Sequence, residues 1–129
     1  MKILLDTHVF LWFVANDRRL PTAYRSAIQD LNNQVVLSIA SVWEAAIKYQ
    51  TGKLPLPGNP GVYLPKLRVT HDIENLPIEE GALTILATLP SLHRDPFDRL
   101  LIAQAIHGNY LLASLDPQIA AYSVSLLPG

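Results

Sequence analysis

The sequence predicts an α/β domain with a central, mainly parallel sheet covered by helices on both faces. Three observations carry that expectation. Short strand-like runs alternate with longer helical segments along all 129 residues. The first run, residues 2–6, is apolar from Ile3 to Leu5, as a strand buried on both faces must be. Half of the residues are hydrophobic, enough to bury a core in a single domain spanning 1–129 without cross-links.

The elements follow in order. Residues 2–6 form a strand ending in an acid, and residues 7–15 carry a dense apolar helix, broken by the polar stretch from Asn16 to Arg19 and by Pro21. Residues 22–31 form a second helix with Ala23, Ala27, Ile28 and Leu31 along one side. Asn32 and Asn33 turn the chain into a β-branched strand at 34–38. Residues 41–49 are helical and stop before Gly52. The Pro- and Gly-rich stretch 54–61 is a loop, followed by a short helix around 62–68, a strand at 73–76 and a helix at 78–88. The cleanest helix, 96–107, ends at Gly108 and Asn109. A strand at 110–114, a helical turn or two at 117–122 and a final strand at 123–127 complete the chain.

Composition excludes whole classes of chemistry. With no cysteine, disulfide scaffolds, zinc–thiolate sites, iron–sulfur clusters and thiol nucleophiles are ruled out. The apolar run at 9–15 falls far short of the ~18 residues of a membrane span, and Asp6 and His8 interrupt any secretory h-region. The expected location is the cytoplasm. No glycine-rich phosphate loop occurs. The formal net charge of −1 lacks the basic excess of a tight nucleic-acid binder, so contact with nucleic acid requires a local patch or a bound cation.

Sites in open α/β sheets form at the carboxyl ends of strands, and acids stand at those places. Asp6 ends the first strand, and Glu44 lies one turn into the helix after the second. Asp98 lies in the first turn of the 96–107 helix with Asp95 just before it, and Asp116 follows the 110–114 strand. Taken singly, each reads as a helix cap. Ser41 and Glu44 match a capping box, Asp95 and Asp116 each precede a proline at N1, and Asp6 caps the 7–15 helix. Taken together, carboxylates along one edge repel one another unless a cation neutralises them. Hard oxygen ligands without cysteine or a histidine cluster select Mg²⁺ or Mn²⁺, ions suited to phosphoryl chemistry.

Five segments then carry a resemblance: 1–12 (MKILLDTHVFLW), 41–48 (SVWEAAIK), 52–57 (GKLPLP), 93–105 (HRDPFDRLLIAQA) and 111–116 (LLASLD). In that order they resemble PIN-domain proteins of the VapC toxin type over essentially the whole chain. The resemblance implies a three-layer α/β/α sandwich and a Mg²⁺- or Mn²⁺-dependent endoribonuclease, the toxin of a toxin–antitoxin pair. It implies an RNA substrate, a cognate antitoxin and a homodimer. Asp6, Glu44, Asp98 and Asp116 become the metal-binding and catalytic acids, with Asp95 competing with Asp98 for third place. Thr7, Arg94 and Arg99 become candidate substrate or support contacts. Ser114 stands two residues before Asp116, where many members of the family have Ser or Thr directly before the last acid. His8, His93 and His107 are not expected as ligands, with His8 read as a core or interface residue. Trp12, Phe13 and Trp43 read as core or interface, the apolar 9–15 helix offering the dimer or antitoxin contact.

Two other readings stay open. One is a metal-dependent phosphohydrolase of another class, against which His8 stands where an aspartyl phosphatase has its second acid. The other is an inactive protein-binding module whose acids only cap helices.

Overall fold

Period-two alternation along the strands sorts the apolar side chains into two cores. In the computed structural model, which describes residues 1–129, β1 spans Lys2–Leu5, α1 Thr7–Val14, α2 Thr22–Gln29, β2 Gln34–Ser38, α3 Ile39–Gln50 and α4 Pro60–Thr70. β3 (Glu74–Leu76), α5 (Glu80–Leu86), α6 (Pro96–Gly108), β4 (Leu111–Ala113) and α7 (Pro117–Ala120) follow. Ile3, Leu5, Val35 and Leu37 pack on one face with Val9, Phe10, Phe13, Tyr24, Ile28 and Leu64, from α1, α2 and α4. Leu4, Val36 and Leu112 pack on the other with Leu101, Ile102, Ala105 and Ile119, from α6 and α7. The expected α/β architecture, with helices on both faces of the sheet, is what the chain adopts.

All pairings are parallel, in the order β3-β2-β1-β4. Leu5 stands opposite Leu37 on one side and Ala113 on the other. The chain therefore steps outward from β1 to β2 to β3, then returns to place β4 on the far side of β1. That reversal is a topological switch point, where the connections leaving β1 and β4 diverge and open a crevice at their carboxyl ends. Asp6 sits at this position, its backbone N–H donating to the Ala113 carbonyl (3.1 Å).

Several elements differ from the sequence reading. α3 begins at Ile39, directly after β2, and its N-cap is Ser38, whose hydroxyl accepts from the Ala40 N–H (3.0 Å). The Ser41–Glu44 capping box is thus corrected: both residues lie inside the helix, and both are buried. The final strand at 123–127 reduces to a single parallel bridge, Leu112 with Leu126. β4 is only three residues long, and Pro128 has no N–H to extend the ladder. The 9–15 segment is two-sided: Val9, Phe10 and Phe13 are buried, whereas Leu11, Trp12 and Val14 are half-buried and Ala15 is exposed, these four lining an open groove with Leu54, Leu56 and Tyr63. α6 closes with Asn109 in the left-handed region (φ 56°). Gly108 leaves room for the Tyr110 side chain, because a Cβ there would stand 2.4 Å from the Tyr110 ring. No helix is long and apolar enough to cross a membrane.

Candidate functional site

Each helix that starts at the crevice needs an acceptor for its free N–H groups, and aspartates supply three of them. Asp6 caps α1 through the Val9 N–H (2.8 Å). Asp95 caps α6 through the N–H groups of Phe97 (2.9 Å) and Asp98 (3.2 Å). Asp116 caps α7 through the Gln118 N–H (2.9 Å). Each cap uses one carboxylate oxygen, Oδ1, and leaves Oδ2 for other partners. Capping and clustering are therefore compatible.

Glu44 arrives differently. α3 begins among the side chains of one core, at Ala40, and by Ala45 has reached the other. It thereby carries Glu44 across the carboxyl edge of the sheet. Glu44 is 2% exposed; its Oε1 accepts from the Thr7 hydroxyl (2.6 Å) and its Oε2 from Lys48 Nζ (2.6 Å). The Thr7 hydroxyl also lies 2.9 Å from Ser41 Oγ. Burial works to lower the Lys48 pKa, but the hydrogen bond and charge of Glu44 outweigh it and hold the ammonium up.

These side chains meet in a cleft of about 350 Å³ lined by Asp6, Glu44, Asp95, Asp98 and Asp116, with His8, Trp12, His93, Leu115 and Pro117 completing the wall. All five acids singled out from the sequence are brought together. Burial pushes Asp98 up to about 6, with the Asp95, Glu44 and Asp6 charges adding to the rise and the His93 hydrogen bond opposing it. Asp6 is also raised by burial, against the pull of the Ser114 hydroxyl and the Val9 N–H. Both shifts come first from burial of the carboxyl group, with neighbouring carboxylates adding to the rise.

Histidine placement departs from expectation. His93 Nε2 lies 2.8 Å from Asp98 Oδ2 and 3.5 Å from Asp116 Oδ2. Its neighbour His8 is exposed on the cleft wall, not in the core. His107 lies away from the site, 3.7 Å from Glu79. Among the substrate candidates, Thr7 is buried and holds Glu44, and Arg94 is exposed and outside the cleft lining. Arg99 is committed elsewhere. Its guanidinium donates to the Pro90 carbonyl (2.8 Å) and the Tyr122 phenol oxygen (2.9 Å), and it does not line the cleft. Tyr122 also accepts from the N–H groups of Leu92 (3.1 Å) and His93 (2.9 Å), so one phenol holds the loop that leads into α6.

The donor set suits a hard divalent cation: several carboxylate oxygens, raised carboxyl pKa values and a single neighbouring ammonium already paired with Glu44. His93, Asp98 and Asp116 each offer a ligand atom within 4.8 Å of the others.

The PIN domain family matches residues 3–124. The chain belongs to the PIN domain family. A relative, Ribonuclease VapC16 of Mycobacterium tuberculosis, is 49% identical over 41 residues, covering 32% of this chain and 29% of the relative. The match thus spans less than a third of that relative's length. Among solved structures, VapBC2 from Rickettsia felis bound to a DNA fragment from their promoter superposes with a TM-score of 0.74 at 17% identity, covering 99% of this chain and 98% of that one. FitAcB from Neisseria gonorrhoeae gives 0.65 at 20%, covering 98% and 96%. VapBC-1 from nontypeable Haemophilus influenzae gives 0.66 at 17%, covering 98% and 97%. At these identities the likeness is one of fold, and it extends over nearly the whole of this PIN domain.

Reading the PIN-domain sequence alone set His93 aside as a ligand and passed over Lys48 and Tyr122. Lys48 had a signal, since Glu44 and Lys48 stand at i,i+4 on one helix. His93 opens the 93–105 block, yet nothing in its local spacing tells which way the ring turns. Tyr122 reaches the 89–95 loop through tertiary packing alone.

Proposed function

We propose that this PIN domain is a metal-dependent endoribonuclease, hydrolysing RNA phosphodiester bonds as the toxin of a toxin–antitoxin pair in the cytoplasm. The observation that carries the reading is the convergence of five carboxylates on one cleft at the switch point of the sheet. Such a cleft repels RNA unless a cation is bound. Asp6, Asp98 and Asp116 would hold it, with Glu44 and Asp95 beside them. Mg²⁺ or Mn²⁺, when bound, supplies charge neutralisation for a phosphate and acidity to water.

The chain's own groups do the positioning. The three caps fix the directions of Asp6, Asp95 and Asp116, while Thr7 and Lys48 fix Glu44. His8 and Trp12 form the wall along which a strand of substrate would run. Partner proteins are part of the same reading, supported by solved neighbours whose names are those of VapBC and FitAcB complexes. An exposed apolar stripe on α3, formed by Ile39, Trp43 and Ile47 at i, i+4 and i+8, supports a homodimer.

The test is RNA cleavage by purified protein with Mn²⁺ or Mg²⁺. Wild type should cleave and lose activity with chelator, and Asp6→Asn and Asp98→Asn should lose about a hundredfold or more, roughly 2.7 kcal/mol of barrier. Cleavage that survives either substitution, or ignores the chelator, would refute the assignment.

A further inference from the structure

We propose that His93 is itself a metal ligand, so that the ion in this cleft has one nitrogen donor besides its carboxylates. The inference rests on the metal-centre reading above and adds to it a residue and a metal preference. His93 is nine-tenths buried, its side chain 10% exposed, in a loop where burying an imidazole requires a partner. Nδ1 has none. Nε2 is placed between two carboxylates that belong to different helices, Asp98 of α6 and Asp116 at the cap of α7. Donor atoms sharing one ion at about 2.1 Å stand about 3–4 Å apart; the separations of 2.8 and 3.5 Å are of that order. The loop is built to hold the ring there, because the backbone N–H of His93 is tied to the Tyr122 phenol, which Arg99 also engages. A side chain that only clamped Asp98 would need none of the second carboxylate's proximity.

An imidazole changes what the cleft selects. Mg²⁺ takes oxygen ligands and tolerates nitrogen poorly, whereas nitrogen donors favour transition-metal ions. The nitrogen donor therefore tilts the site from Mg²⁺ toward Mn²⁺.

The experiment uses the full chain with Mn²⁺ as probe. Pulsed electron paramagnetic resonance of wild type carrying Mn²⁺ should show coupling to a ¹⁴N nucleus, lost in His93→Gln. Calorimetric titration should show the Mn²⁺ affinity of His93→Gln falling about tenfold or more, with Mg²⁺ affinity falling by clearly less. The wild-type spectrum needs no variant, so a poorly folding His93→Gln leaves the proposal exposed. Mn²⁺ binding that depends on Asp6 but shows no nitrogen coupling, or is unchanged in His93→Gln, would overturn the role of His93 alone. No binding to wild type would overturn both this proposal and the metal-centre reading beneath it.

Discussion

Asp6, Asp95 and Asp116 show why a single residue can carry two readings at once. A carboxylate has two oxygens, and each cap engages one of them, so the capping seen in the sequence left a second oxygen for the cluster. That separation makes Asp6→Asn informative: asparagine caps as well as aspartate does, so the change removes charge and keeps the cap. Asp98 gives a pH prediction for the metal-free protein. Its folded pKa of about 6 lies above the ordinary aspartate value of 3.8, so the folded chain holds the proton more tightly than the unfolded chain. Stability from this group is therefore greatest when it is protonated and falls as pH rises from about 4 through about 6. Asp98→Asn should remove that fall and gain about 1–2 kcal/mol over wild type above pH 6, after allowance for solvent screening. Urea denaturation across that range measures it. Curves for the two proteins that stay parallel with pH would show that Asp98 carries no burden of buried charge.

At the scale of elements, the strand-to-helix junction of β2 and α3 was the part least legible in the sequence. Ile39 and Ala40 continue the apolar run of the strand, while Ser41 and Glu44 imitate a capping box, so the start of the helix was placed two residues late. The correct cap, Ser38, ends the strand and also donates to Gln104 Oε1 (2.5 Å), joining α3 to α6. Ser38→Ala should cost about 2 kcal/mol, through the lost cap and an unpaired buried amide. Ser41→Ala, which removes only the contact with Thr7, should cost clearly less. Equal losses in chemical denaturation would return the cap to Ser41. The loop at 89–95 makes a parallel case. Tyr122→Phe leaves the N–H groups of Leu92 and His93 without their acceptor. A loss of about 2 kcal/mol is expected from those donors together, with faster amide exchange at Leu92 and His93; unchanged exchange would mean the phenol does not hold the loop. No local pattern announced that latch, since Tyr122 lies 29 residues from His93.

For the whole molecule, the alternation of strands and helices was enough to place the acids along one edge, because parallel strands must return to the same side. What alternation does not reveal is strand order, and it is the order β3-β2-β1-β4 that turns an edge into a crevice. The final strand failed at this scale too: residues 123–127 alternate as a strand does, but the short β4 offers them one bridge. Surface pattern also moved between scales. The apolar α1 segment turned only one side inward, and the stripe proposed for a second copy lies on α3, with Trp43 55% exposed beside Phe97. In the proposed dimer, Trp43→Ser should lower the association constant at least tenfold, about 1.4 kcal/mol, while leaving the melting temperature of the monomer nearly unchanged. Sedimentation at a series of concentrations checks this, and an unaltered distribution would place the dimer contact elsewhere.

The central claim is that the acids converge to hold a divalent ion, and calorimetric titration with Mn²⁺ of wild type and Asp6→Asn tests it most directly. The account predicts saturable binding to wild type that disappears in a folded Asp6→Asn. Binding of equal strength in the two proteins, or none in wild type, would contradict it and leave the carboxylates as helix caps alone.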